Sequence, residues 1–545
     1  MQNTVATTAV PRQGGIPYKW IVLIVVIFGL FMTILDGTIV NIAIPRLQNA
    51  FGANLTSVQW VLTAYTLVQG VATPLTAFLA QRLGQKRLYL IALVGFTVGS
   101  ALCGLAFNLP MLIFFRVIQG AMGAFMSPLA ITLLYSEFPP QERGVALGAL
   151  GVPILLAPAF GPTVGGYIVT FLGWQLIFYI NVPIGIIGVI MGIIFLRESR
   201  IEARTRFDIP GFILSAVGLA TLLYGLSDAS TDGWGSTKVL SCLIFGGLML
   251  IVFVIVELQI AFRGGQPLLD LRVFSNFPFT TANIASVFVT FALYGGLFLV
   301  PVYLQDLRGL SAFQAGLLLL PQAFASMVAS LVAGRLVDRI GVRWVIIPGL
   351  IILTFAMWLF TFMNVNTPFG TFQIWLIVRS FALGFCFQPL SVAAFSEIPN
   401  PRLPQATSVN TTIRFVVSSL AVAVIATIVQ TRTSFHYAHL AEQVTANSPL
   451  GKLIPELQGF FIVHGATSVS AAYAAAVQEI IGLVQLQATV LAMQDAFYVS
   501  MILAAIAVVA SIFVRSRPKK VRPTTGEAAT IDEGAAARDE AMLAV

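Results

Sequence analysis

The sequence is poor in what a water-soluble protein displays on its surface. Of its 545 residues only 10% are charged and 58% are hydrophobic, and the mean hydropathy is +0.91. So little charge excludes a soluble globule with a solvated shell. Cysteine and histidine are rarer still, with 3 of each. Cys103, Cys242 and Cys386 all fall within apolar runs, which gives neither a disulfide framework nor a metal cluster. No nucleophile and base pair or phosphate loop is present, so the chain does not read as an enzyme and needs no cofactor. Residues 1–17 are polar, but the apolar run after them is too long for a signal-peptide core and reads as an uncleaved anchor.

What is present is a succession of runs of about 20 apolar residues, the length that crosses a bilayer. They lie near 19–44, 58–80, 88–107, 110–134, 145–171, 176–196, 209–227, 238–261, 279–304, 314–337, 343–363, 371–395, 406–430 and 491–514. An all-α membrane protein of fourteen spans is predicted. With the N-terminus in the cytoplasm, the 30 Lys and Arg residues lie on the inner side, except Arg46, Lys238, Arg308, Arg432 and Lys452 outside and Arg116, Arg379 and Arg414 within spans. The positive-inside rule selects that orientation, with both termini cytoplasmic. The net charge of +8 is thus a matter of topology, scattered through short loops rather than gathered for nucleic acid. The tail, residues 516–545, has too few large apolar residues to fold alone and is expected to be disordered.

Two inner loops match. Gln81-Arg82-Leu83-Gly84 follows span 2, and Asp338-Arg339-Ile340-Gly341 follows span 10. Arg116 in span 4 corresponds to Arg379 in span 12. This spacing implies two parallel six-span repeats, residues 18–200 and 266–515, separated by two inserted spans in 201–265. Parallel halves suit rocking about a binding site near the midplane. The first loop carries Ala77 and Gln81 where the second carries Gly334 and Asp338, which weakens any charge relay there.

Among 22 acidic residues, only Asp36 lies deep in a span; Glu257 and Asp495 lie toward the ends of theirs. A lone carboxylate in hydrocarbon costs several kcal/mol, so it must face a cavity, pair with a cation or bind a proton. Asp36 lies about 8 residues, roughly 12 Å, from the outer end of span 1, and Arg116 lies at about the same depth in span 4. The equal depth permits a pair. Separating the two would favour protonation of the acid, linking conformation to proton binding. The alternative for Asp36 is a packing residue bonded to Thr38, Asn41 or a carbonyl; for Arg116 and Arg379 it is a cation tied to carbonyls. The 42 Phe and 12 Tyr residues are enough to line an adaptable cavity, with Tyr65, Gln69, Tyr294, Gln388 and Arg414 as polar handles for amphipathic compounds.

Span 5 contains Ala157-Pro158-Ala159-Phe160-Gly161-Pro162-Thr163-Val164-Gly165-Gly166. Its prolines remove backbone donors, and its glycines permit close helix approach. The run resembles the antiporter signature of the major facilitator superfamily. Leu35-Asp36-Gly37-Thr38, Phe115-Arg116-Val117-Ile118-Gln119-Gly120 and Phe178-Tyr179-Ile180-Asn181-Val182-Pro183 extend the likeness to its fourteen-span drug:proton antiporter family (DHA2), in particular inner-membrane pumps of the EmrB type. The resemblance implies proton-driven efflux of drugs or toxic compounds across a bacterial inner membrane. It also implies a periplasmic adaptor and an outer-membrane channel as partners. Proton coupling falls to Asp36 and Arg116, and conformational change to Pro158, Gly161, Pro162, Gly165 and Gly166.

The outer stretch 431–490 is much longer than the other outer connections and offers contacts for the adaptor. Ser434–Gln443 reads as a helical extension, and Val469–Gln487 as a second helix or hairpin lying at the membrane surface. His436 and His439 lack a third ligand, so no metal is expected. Two other functions stay open: export of one endogenous fatty acid, siderophore or signal molecule, and a transporter-like sensor, against which the short tail argues.

Overall fold

The computed structural model describes residues 17–198, 207–445, 447–464 and 466–514. The N-terminal segment, the tail and most of the Arg197–Arg206 cluster lie outside them. Among the described residues there are helices and no strands, and 13 helices are long and apolar enough to cross a membrane, or 14 if a bent pair counts as one span.

The first half comprises α1 (Tyr18–Phe51), α2 (Leu55–Ala72), α3 (Leu75–Leu83), α4 (Gln85–Gly104), α5 (Leu109–Gly123), α6 (Met126–Glu137), α7 (Arg143–Phe171), α8 (Leu176–Tyr179) and α9 (Asn181–Phe195). The insert is α10 (Ile209–Asp228) and α11 (Thr237–Phe262). The second half comprises α12 (Phe277–Val302), α13 (Ala312–Ile340), α14 (Val342–Phe360), α15 (Phe369–Phe395), α16 (Leu403–Glu442), α17 (Pro449–Val463) and α18 (Val469–Ile512). Helix starts follow local chemistry: the side chains of Asn54, Asn108, Asp208 and Asn276 each accept from a backbone N–H of the first turn, often with proline just inside.

Three predicted spans are interrupted, span 6 only by the single residue Ile180 between α8 and α9. Span 2 bends by 60° between α2 and α3, where Pro74 lacks the donor that would continue the ladder. Span 4 divides into α5 and α6 at Ala124 and Phe125. The repeat is visible in the backbone: Gly84 and Gly341 stop α3 and α13 with φ of 85° and 90°. Both angles lie in a region that favours glycine.

The face that carries these turns, with Lys86, Arg87, Arg143 and Arg343, is called the basic face below. Its clamp holds the halves together. Asp338 on α13 accepts from the backbone N–H groups of Gly144 (2.9 Å) and Val145 (2.8 Å), placing a carboxylate on the positive end of α7. Arg143 donates to Asn400 Oδ1 (3.2 Å) and Ser330 to Gly148 O (2.8 Å). Ser408 donates to Thr73 O (2.8 Å), and the Thr132 and Thr407 hydroxyls lie 3.0 Å apart. These hydrogen bonds join the halves, and all lie in the part of the bundle nearer the basic face.

The two seams between halves are unequal. Along α7 and α13, small residues permit contact over the whole length, with Gly144 against Gly334 at one end and Gly166 against Phe313 at the other. Across the pseudo-equivalent seam of α2, α3 and α16, the far portion is filled by α10. Tyr224 stacks on Trp60 (5.7 Å), Leu223 meets Gly70, and Trp234 Nε1 donates to Thr427 Oγ1 (2.7 Å). The second inserted helix, α11, has only 17% of its most apolar window buried, so most of its surface is left to lipid.

The outer stretch differs from its prediction. Val469–Gln487 does not lie along the surface but forms one uninterrupted 44-residue helix with the last span, and α16 runs for 40 residues. At about 1.5 Å per residue each is roughly 60 Å long, twice the hydrocarbon thickness. The pair projects from the membrane as a hairpin, with the additional helix α17 packed on α18.

The basic-face clamp must release if the halves rock. A Thr132→Cys/Thr407→Cys variant is expected to lose transport when oxidised and to recover it under reductant, and either single variant is expected to keep it. Vesicle uptake with and without the cross-link measures this.

Candidate functional site

Among the described residues, the apolar interior of the first half contains one ion pair. Asp36 on α1 and Arg116 on α5 both have zero exposure, and Arg116 Nη1 donates to Asp36 Oδ2 at 2.5 Å. Asp36 Oδ1 accepts from Gln119 Nε2 (3.0 Å) and Asn181 Nδ2 (2.9 Å). Three donors from α5 and α9 therefore surround the carboxylate, and three helices are tied at one point. Charge-assisted bonds of this kind offset the cost of removing the ions from water.

A second set of contacts positions those donors. Arg116 and Gln119 stand three residues apart on one face of α5, and Arg116 Nη1 also donates to Gln119 Oε1 (2.9 Å). Arg116 Nε donates to Val61 O on α2 (3.2 Å). The guanidinium carbon lies 3.8 Å from the centre of the Tyr65 ring, and Tyr65 donates to Thr33 O (3.2 Å). Asn181 donates to Ser100 Oγ (3.0 Å), which donates to Phe178 O (2.8 Å). Arg116 Nη2 is buried without a hydrogen-bond partner.

Neither Gln119 nor Asn181 was among the site residues chosen from sequence. Both lie in stretches quoted above, and the available signal was a polar amide in an apolar span near the depth of Asp36. Tyr65, chosen as a substrate handle, is placed by the structure with its ring on Arg116 and is 1% exposed. Gln69 is buried beside Gly123. Both therefore stand on the inward side of α2.

The other candidates lie apart from this cage. In α7, Gly161 and Gly165 press on Thr38 and Ile39 of α1, within three residues of Asp36, and Gly166 presses on α13. Pro158 and Pro162 lie within a helix that continues through them. The antiporter run thus joins the helix of the acid to the opposite half. In the second half, Arg379 Nη2 donates to Ala292 O (3.0 Å) and Leu293 O (2.8 Å), the carbonyl-tied arrangement. Arg414 donates to Ser391 Oγ (2.7 Å), lies 4.4 Å from the Phe387 ring centre and neighbours the half-buried Tyr294. Gln388 is buried near Gly151 with Nε2 unpartnered. Of the loop residues, Asp338 makes the clamp, Arg82 lies 5.9 Å from the Phe78 ring centre, and among the described residues Gln81 and Arg339 make no hydrogen bond between halves that parallels Asp338. At the α16–α18 hairpin, Asp495 accepts from Arg432 Nε (2.5 Å) and lies 2.8 Å from His436 Nε2.

Removing one member of a buried pair leaves the other uncompensated. Arg116→Met is expected to destabilise the protein by about 3–5 kcal/mol. In combination with Asp36→Asn, the loss is expected to be smaller than the sum of the two single effects. Unfolding of all four forms in detergent supplies the double-mutant cycle.

Residues 26–422 match the Major Facilitator Superfamily. The chain is 37% identical over 427 residues to the uncharacterized MFS-type transporter YhcA of Bacillus subtilis, covering 78% of this chain and 80% of that one. It is 32% identical over 424 residues to the multidrug export protein EmrB of Escherichia coli, covering 77% and 82%. The fold is similar to that of the human organic anion transporter MFSD10, with a TM-score of 0.58 at 13% identity over 89% of this chain and 99% of that one. With its two parallel helical halves and a match extending across both, the chain belongs to the Major Facilitator Superfamily, a family of transporters and not of enzymes.

Proposed function

We propose that the protein expels amphipathic compounds in exchange for protons, with Asp36 as the coupling acid and Arg116 as its counter-ion. The observation that carries this reading is the Asp36 cage, in which an acid of zero exposure is held by donors from two other helices. The arrangement suits the ionised carboxylate. Displacing α5 or α9 from α1 would strip away its donors, and a carboxylate stranded in an apolar interior takes a proton. Proton binding and helix displacement thereby favour one another.

The basic face is the cytoplasmic one by the positive-inside rule. Each proton entering from the opposite side contributes about 2.3 kcal/mol per 100 mV of membrane potential, so export requires neither nucleotide nor cofactor. Substrate binds between the halves, where Tyr294, Gln388 and Arg414 supply polar contacts among aromatic rings. The kinship with a multidrug exporter supports an inner-membrane location and a broad range of amphiphiles. The projecting α16–α18 hairpin, with exposed Leu453, Phe460, Ile462 and Val463 on α17, is suited to a periplasmic adaptor that leads to an outer-membrane channel.

The test is substrate-induced proton movement in energised inside-out vesicles, screened with cationic and uncharged amphiphiles. Wild type is expected to collapse the pH gradient when substrate is added. Asp36→Asn is expected to bind substrate without doing so. A variant that still couples would remove Asp36 from the mechanism.

A further inference from the structure

The insert contains a second buried acidic site that plays no part in the proposed exchange. Glu257 on α11 has zero exposure, and Asp208, the residue that starts α10, is 8% exposed. Each carboxyl group has one oxygen in use. Asp208 Oδ1 accepts from Gly211 N (2.9 Å) and caps α10, and Glu257 Oε2 accepts from Leu269 N (3.4 Å) in the connector to α12. The other two oxygens, Asp208 Oδ2 and Glu257 Oε1, are buried with no hydrogen-bond partner. Both converge on the position that a Cβ of Gly211 would occupy. That glycine lets the two carboxyl groups approach.

Two ionised carboxylates facing each other in this setting would repel and leave two buried acceptors unsatisfied. One proton corrects both defects, because a protonated oxygen donates to the ionised one. Among the described residues no cation does so instead. Arg272, on the 271–275 turn packed against α11, is held by Asp270 (2.8 and 2.9 Å) and donates to Ala261 O (3.3 Å). Arg263, at the end of α11, is exposed. Arg82 lies over Phe78, whose ring meets Phe207. Arg414, on α16, is engaged with Ser391. The helix α2 carries no charged residue, and Asp228 and Lys238 belong to the far ends of α10 and α11, where they pair with each other. Residues 199–206, just before the pair in sequence, lie outside the described residues.

We propose that Asp208 and Glu257 form a proton-binding carboxyl–carboxylate pair at the basic face, a second protonation site separate from Asp36. The shared proton joins the start of α10 to the end of α11 and, through Leu269, to the connector that leads into the second half. Because α10 occupies the seam between α2 and α16, the pair makes the seating of this wedge dependent on pH at the basic face. The stabilisation is present while the proton is held and is lost as rising pH removes it.

The experiment is infrared difference spectroscopy of the full chain in detergent, titrated from mildly acidic to alkaline pH, with thermal unfolding followed over the same range. Wild type should lose a buried carboxylic-acid carbonyl band and some thermal stability as pH rises. Glu257→Gln and Asp208→Asn each install a permanent amide donor, and the asparagine retains the α10 cap. Both variants should lack the band that Asp36→Asn retains, and show a flatter stability profile. Asp36→Asn, which affects the other site, should retain both features. Absence of the band in wild type would overturn the proposal. So would its persistence, with a wild-type unfolding profile, in either Glu257→Gln or Asp208→Asn; two variants keep the test decisive if one fails to fold.

Discussion

Water is excluded from Asp36 and Arg116, and that exclusion constrains the rest of the first half. A charged pair in hydrocarbon persists only while its geometry is maintained, so each helix that supplies a partner is restrained by it. Asp36 belongs to α1, Arg116 and Gln119 to α5, and Asn181 to α9, while Val61 and Tyr65 bring in α2. The pair is therefore both a structural tie and a place where gain or loss of one charge alters the balance between helix arrangements. In the proposed exchange those two roles coincide, because the arrangement of helices is what must change with proton occupancy.

The clamp and the antiporter run connect this tie to the opposite half. Gly161 and Gly165 hold α7 against α1 beside Asp36, and the same helix meets α13 through Gly144, Gly148 and Gly166. Movement at the acid can reach the seam through one continuous helix. The difference between the two loop motifs has a matching consequence. Asp338 caps α7 across the seam, whereas the corresponding first-half position is Gln81, and the other seam relies on hydroxyl contacts at Thr73 and Thr132 and on the inserted α10. The insert thus occupies the seam that lacks the carboxylate clamp.

Much of this was legible in the chain. Apolar run lengths gave the spans because hydrocarbon thickness sets them, and equal depth suggested Asp36 and Arg116 as partners. Depth is one coordinate, however, and says nothing about which face of a helix looks inward. That is why Tyr65 read as a substrate handle although its ring lies on Arg116, and why Gln119 and Asn181 passed unremarked. The wedge position of α10 depends on packing between segments far apart in sequence, which periodicity does not encode. The outer stretch was read as helices at a surface because its amphipathic pattern looks the same whether a helix lies flat or continues a span; the uninterrupted α18 is distinguished only by its junction with the last span.

The most direct test of the central claim, that the charge state of Asp36 sets the balance between conformations, is a distance measurement across the basic face. Spin labels at Ser136 and Ser396, both exposed there, would be compared in wild type and Asp36→Asn, with native cysteines replaced. The account predicts that neutralising Asp36, by acidic pH in wild type or by asparagine at any pH, shifts the population toward longer separations. Distance distributions that respond to neither would contradict it, leaving the buried pair a structural tie alone.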